Sequence, residues 1–276
     1  MRLYNQEVKL AKKVTNKASC LVLGMVILTC SANAWSVTST SNKSLQIMAP
    51  VQPVKALALD GDAKAQFVLA RQYRDGKGVS RNLEKALDLF TKAAEQGFVP
   101  AQIDLGQMYS NGQGVVQDNA LAASWFKKAA DQNYATAQFN LANMYRSGTG
   151  VEKDMAKAYK YYEKAAMNGF VKAQFNLALM HYYGMGVAQN LNQVVFWYEK
   201  AAKQGFHPAQ YHLGAMYRDG EGVSQNFEQA YVWMSKASKG GIKEAFDAMN
   251  ELQALMQVEK VKEDDEELIG SEFAAQ

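Results

Sequence analysis

The stretch Ala137 to Lys172, AQFNLANMYRSGTGVEKDMAKAYKYYEKAAMNGFVK, decides the reading of the whole chain, because copies of it flank it on both sides without a gap. Its opening Ala-Gln also stands at Ala65, Ala101, Ala173 and Ala209, always 36 residues apart, and a truncated copy begins at Ala245. Full repeats therefore occupy residues 65–100, 101–136, 137–172, 173–208 and 209–244. Self-similarity at a fixed period of this length predicts a solenoid, in which each unit buries its apolar face only against its neighbours.

Within a copy, a Gly-x-Gly-Val turn separates two helices. Before it, Ala137, Leu141, Met144 and Tyr145 follow the i, i+4, i+7, i+8 stripe of a half-buried helix. The first glycine of the turn, Gly76, Gly112, Gly148, Gly184 or Gly220, is placed to end that helix in the left-handed region. A second helix is predicted behind Asn82, Asp118, Asp154, Asn190 and Asn226, each a good N-cap. It runs through aromatic pairs such as Trp125-Phe126 and Tyr161-Tyr162 into Lys-Ala-Ala. Gly97, Gly169, Gly205 and Gly241 close it, with Asn133 as the substitute in the second copy. Pro100 and Pro208 are read as lying just ahead of the next first helix, where a missing N–H is harmless. The predicted fold is all-α, an α-solenoid of five 36-residue helix-turn-helix repeats with partial capping repeats at both ends.

A first helix of the form A-x-x-x-L-G/A-x-x-Y, a G-x-G-V loop and a second helix ending in K-A-A-x-x-G resemble the Sel-one-like repeat family, relatives of the tetratricopeptide repeats. The resemblance covers residues 65–244 and implies a right-handed solenoid whose first helices line a concave face. It further implies a binding protein with no chemistry of its own. Some members of that family have been described as penicillin-binding or β-lactamase-like, so an envelope enzyme or ligand binder of that type is the alternative.

Outside the repeats the composition changes. Residues 1–34 carry Arg2, Lys9, Lys12, Lys13 and Lys17, then the apolar run Leu21 to Thr29, then Ala32-Asn33-Ala34. A basic, apolar and small-residue order of this kind reads as a secretory signal peptide cleaved after Ala34. The apolar run falls short of the about 20 residues a membrane span requires. Cleavage would remove both cysteines, Cys20 and Cys30, so that no disulfide framework or thiol nucleophile remains. It would also leave 25 basic against 26 acidic side chains, without the concentrated basic stripe that nucleic acid calls for. Residues 35–50 read as a flexible Ser/Thr-rich leader, 51–258 as the solenoid, and 259–276 as an acidic tail containing Glu263 to Glu267. The expected location is the periplasm, with secretion as the alternative and a host protein as the partner in that case.

Candidate chemistry is sparse. The Gly-x-Gly loops lack the strand and third glycine of a dinucleotide site. Ser124-Trp125-Phe126-Lys127 matches Ser-x-x-Lys, but it lies inside a second helix and has no Ser-Asp-Asn or Lys-Thr-Gly partner. His181, His207 and His212 lack the convergent ligands of a zinc site. His181 takes the place of a tyrosine in the other copies and is expected to be packed and hydrogen-bonded. No catalytic residue, metal or cofactor is therefore assigned.

What varies between copies is one stripe of the first helix, at the fourth, seventh and eleventh positions after the opening alanine. It reads Val68, Arg71, Asp75; Asp104, Gln107, Asn111; Asn140, Asn143, Ser147; Asn176, Leu179, Tyr183; and His212, Ala215, Asp219. Variation on one ordered stripe over a constant core is what a modular binding groove produces, and an unconstrained solvent face produces it too. The fourth copy departs most, with His181-Tyr182-Tyr183, Met185 and Val194-Val195; apolar groups at exposed positions mark contact sites, and private packing within that unit is the equal alternative. Candidate partner-binding residues are thus Asp104, Gln107, Asn111, Asn140, Asn143, Ser147, Asn176, Leu179, Tyr182, Tyr183, His212 and Asp219. The expected partner is another protein, engaged through an extended segment or a helix.

Overall fold

A computed structural model describes residues 51–257 of the chain; the segments expected to be a signal peptide (1–34), a leader (35–50) and an acidic tail (259–276) lie outside the described residues. Helices α1 (Val51–Leu59), α2 (Ala63–Asp75), α3 (Leu83–Glu95), α4 (Val99–Asn111), α5 (Asn119–Asp131) and α6 (Ala135–Ser147) come first. They are followed by α7 (Met155–Met167), α8 (Val171–Tyr183), α9 (Leu191–Lys203), α10 (His207–Asp219) and α11 (Phe227–Lys239). A last helix, α12, covers residues 243–257. Even-numbered helices are the first helices of the repeats and odd-numbered ones the second. Every helix from α2 to α11 has 13 residues, and each packs on the one before and the one after it. There is no strand among the described residues, and the architecture is the all-α solenoid that the period predicts.

The helix ends follow from the cap chemistry. Asn82, Asp118, Asp154, Asn190 and Asn226 each accept a hydrogen bond from the amide three residues on, as N-caps do. First helices α4, α6, α8 and α10 have no side-chain cap; they start behind Phe98, Tyr134, Phe170 and Phe206. Three of these aromatics turn back onto the first helix of their own repeat, Phe98 on Phe67 at 5.3 Å, Phe170 on Phe139 at 4.9 Å and Phe206 on Phe175 at 5.3 Å. An apolar clasp thus sets the entry angle where a polar cap is missing. Helices begin two residues ahead of each Ala-Gln, so Pro100 and Pro208 lie within the first turn and not ahead of it. The turn tolerates them because its amides have no intrahelical acceptor.

The two glycines of each loop do different work. Gly148 ends α6 at φ 76, and its N–H bonds the Met144 carbonyl. Gly150, at φ 70, rests against the first turn of the preceding second helix, where a Cβ would fall onto the Asn119 carbonyl. Small side chains repeat this economy inside. Ala86, Ala122, Ala158 and Ala230 are fully buried, and Val194 fills the same position in the fourth repeat. Val194 and its half-buried neighbour Val195 are therefore core residues, which decides for private packing within the repeat and against a contact site at these two positions; Val fits where its siblings have Ala.

The repeats are tied to one another by a buried amide. Gln66, Gln102, Gln138, Gln174 and Gln210 are each at most 5% exposed. Each Nε2 donates to an alanine carbonyl eight residues earlier, at the end of the preceding second helix: Ala58, Ala94, Ala130, Ala166 and Ala202, at 3.0–3.4 Å. Four of the Oε1 atoms accept from the residue after their own second helix: Gln96, Gln132, Asn168 and Gln204, at 2.8–3.1 Å. In the fifth repeat that donor is replaced by Gly240, and His207 Nδ1 sits 3.0 Å from Gln210 Oε1 instead. The exchange is steric as well, since a Cβ on Gly240 would fall inside the His207 ring. At the sixth position the series ends with Phe246, which is exposed.

Gly150→Ala and Gly169→Ala separate conformational strain from close approach. Gly169 has φ 80 and open space around it, so alanine there should cost about 1–2 kcal/mol, the ordinary left-handed penalty. Gly150→Ala should cost clearly more, because the neighbouring backbone must also move. Urea melts of the two variants check this, and equal midpoints would refute the close-approach reading.

Candidate functional site

The variable stripe of α2, α4, α6, α8 and α10 is partly exposed and partly half-buried, and its residues meet different fates. In the first two repeats it is an ion-pair network. Arg74 pairs with Asp75 at 2.8 Å and reaches across to Asp104 on α4 at 3.0 Å. Burial pushes the Asp104 carboxyl up, and the Arg74 guanidinium pulls it back down. Gln107 and Asn111 remain exposed on the same helix.

In the third repeat the stripe closes over a core phenol. Tyr162 of α7 is fully buried; its hydroxyl donates to Asn143 Oδ1 at 2.5 Å and accepts from Arg146 Nε at 3.2 Å. Burial pushes the pKa of the same hydroxyl up, and Asn176, from the next first helix, lies near enough to draw it down. Asn143 and Asn176 are thus committed to an internal contact. Asn140 is half-buried beside them, and Ser147 is exposed, its Oγ bonding the Asn143 carbonyl at 3.0 Å and the Thr149 hydroxyl at 2.7 Å.

One repeat further on, the same positions hold Leu179 for Asn143, Tyr182 for Arg146 and His212 for Asn176, around Tyr198 in place of Tyr162. No polar lid forms. A cleft of about 220 Å³ opens between α8 and α10, lined by five of the sequence candidates: Leu179, Tyr182, Tyr183, His212 and Asp219. The Tyr182 and Tyr183 rings meet edge to face at 5.0 Å, and Tyr183 is 67% exposed at the rim. His212 stacks on Tyr198 at 5.3 Å with the planes 9° apart, and burial lowers its pKa, which favours the neutral imidazole. Asp219 is gripped by Arg218 through two contacts of 2.7 and 2.9 Å, and that bond holds its carboxyl below the usual range.

Ala215 of the variable stripe lines the cleft as well, and sequence reasoning missed the other three lining residues, Tyr198, Met216 and Glu221. Tyr198 matters most. It is 3% exposed, burial pushes its phenol far up, and its hydroxyl bonds no other described residue. The signal was available in the register: three polar residues around Tyr162 are exchanged together 36 residues on.

Other candidates resolve into packing. His181 is buried, its Nε2 3.3 Å from the Tyr159 hydroxyl, and burial lowers its pKa. The Ser124 hydroxyl bonds the Leu121 carbonyl at 2.7 Å, while Lys127 pairs with Asp131 at 2.7 Å, so the Ser-x-x-Lys groups are engaged elsewhere on an exposed helix face. Among the described residues no three His, Asp or Glu side chains converge as metal ligands, and no helix is long and apolar enough to cross a membrane.

The chain belongs to the Sel1 repeat family, whose model matches residues 63–98, 99–134, 135–170, 171–206 and 207–242. Proteins of this family are generally protein-interaction scaffolds and typically non-catalytic. A Sel1 repeat protein from Oxalobacter formigenes is similar in structure, with 30% identity and a TM-score of 0.65 over 72% of this chain and 81% of the other. A protective antigen of uropathogenic Escherichia coli with an SLR fold is 33% identical, with a TM-score of 0.49 over 75% of this chain and 52% of its own. No curated protein is similar enough to match.

The two phenols make a matched pair for measurement. Tyr162→Phe should destabilise by about 1–3 kcal/mol, because Asn143 and Arg146 lose a buried partner. Tyr198→Phe should change stability by less than about 0.5 kcal/mol, because no internal bond is lost. Thermal melts of both variants decide it, and a large loss for Tyr198→Phe would mean that its hydroxyl is structurally committed.

Proposed function

We propose that this chain holds a protein partner along the first-helix stripe, with the cleft between α8 and α10 as its main anchor point. The observation that carries the reading is the coordinated exchange around Tyr198, which turns a sealed polar contact into an open, aromatic-rimmed cleft while the helices and their order stay the same. Stacked repeats supply a preorganised surface, so little ordering free energy is lost on binding. Gln107, Asn111, Asn140 and Ser147 offer amides and hydroxyls suited to an extended peptide backbone, and Tyr182 and Tyr183 offer the aromatic anchors that dominate interfaces.

The proposal extends to place. The basic, apolar and small-residue order of residues 1–34 favours export, so the partner is an envelope or exported protein met in the periplasm, or outside the cell if the chain is secreted. An alkaline phosphatase fusion after residue 60 should be active; an inactive fusion would place the chain on the other side of the membrane.

A photo-crosslinking residue placed in vivo at Gln107, Asn140 or Tyr183 should trap one protein in common. The same probe at Ser124 or Lys164, exposed on second helices, should not. Equal trapping from both sets, or trapping from the second helices alone, would overturn the groove.

A further inference from the structure

The chemistry of the α8–α10 cleft specifies what enters it. Its about 220 Å³ falls below the roughly 300 Å³ at which small-molecule sites begin, which is room for one side chain. Tyr198, 3% exposed, is one of its lining residues, and no hydrogen bond to another described residue occupies its hydroxyl. Its wall carries two carboxylates, Asp219 and Glu221, and no lysine lines it. Arg218 stands beside Asp219, and Glu251 of α12 acts on that arginine as well; the lining itself holds two carboxylates and neither lysine nor arginine. The rim presents the faces and edges of Tyr182 and Tyr183, and His212 closes the inner side as a flat ring.

We propose that this cleft receives the basic side chain, arginine or lysine, of the partner segment. The stem would lie against Leu179 and Met216, the cation would sit over the Tyr183 ring, and its N–H groups would reach Tyr198 Oη and the Glu221 carboxylate. Each element has a known worth: a cation over an aromatic face, a charge-assisted hydrogen bond and an apolar channel for a long stem. Asp219 already has Arg218 as its counter-charge, so a neutral or acidic side chain leaves Glu221 unpaired, and the cleft selects as well as binds.

The inference rests on the groove reading, and the test separates the two. Labelled octapeptides in a Gly/Ser/Ala background, with arginine, lysine, citrulline or glutamate at the centre, are titrated against the full chain by fluorescence anisotropy. The arginine and lysine peptides should bind about tenfold more tightly than the citrulline peptide, which keeps the shape without the charge. Glu221→Gln, on an exposed turn, should shrink that preference several-fold and leave the helical circular dichroism unchanged. Equal binding of arginine and citrulline peptides overturns the cation reading, and so does failure of the arginine peptide to bind. Crosslinks from Gln107 and Asn140 would then leave the groove standing; their absence as well would remove both.

Discussion

The buried glutamine amide of each first helix is the contact on which the stacking depends. Apolar packing brings helices together but does not fix where along their length they meet. An amide does, because it carries a donor and an acceptor in one rigid plane and both must be matched when water is excluded. In this chain the donor is spent on the helix before and the acceptor on the helix after. Sliding either helix would leave a buried polar group unpaired, at about 1–3 kcal/mol each. The repeat length is held constant by that pairing together with the close approach at the second loop glycine.

With register and core held constant, a single position can change its chemistry without disturbing the stack. The third and fourth repeats illustrate this. The same phenol at the same depth is sealed by Asn143, Arg146 and Asn176 in one and left facing a cleft in the other. The fold contributes the same geometry to both, and the difference in what they offer a partner comes from three side chains.

The period, the helix pairs, the caps and the loop glycines were legible because each leaves a local mark: a spacing, an Asn or Asp before a helix, a Gly after one. The role of the glutamines was not, although Ala-Gln was the first repeat seen. An amphipathic pattern scores Gln as polar and outward, and only its partners eight and thirty residues away explain its burial. The stripe was legible as a face, yet periodicity could not say that Asn143 and Asn176 turn inward to a tyrosine from another helix. Val194 was open to two readings, contact site or private packing, because a large apolar residue among small ones fits either pattern, and only its burial decides for packing.

The end of the glutamine series bears on how such a chain grows. An interior repeat brings its own donor and acceptor, so a unit can be duplicated or lost between the first and the fourth without orphaning a polar group. The fifth cannot move so freely. His207 and Gly240 fit only each other there, and beyond them Phe246 and Met256 stand where a glutamine and a helix-ending glycine would continue the pattern. Length in this protein is therefore open to change among the first four repeats, while the fifth, written in the same alphabet, keeps a fixed place.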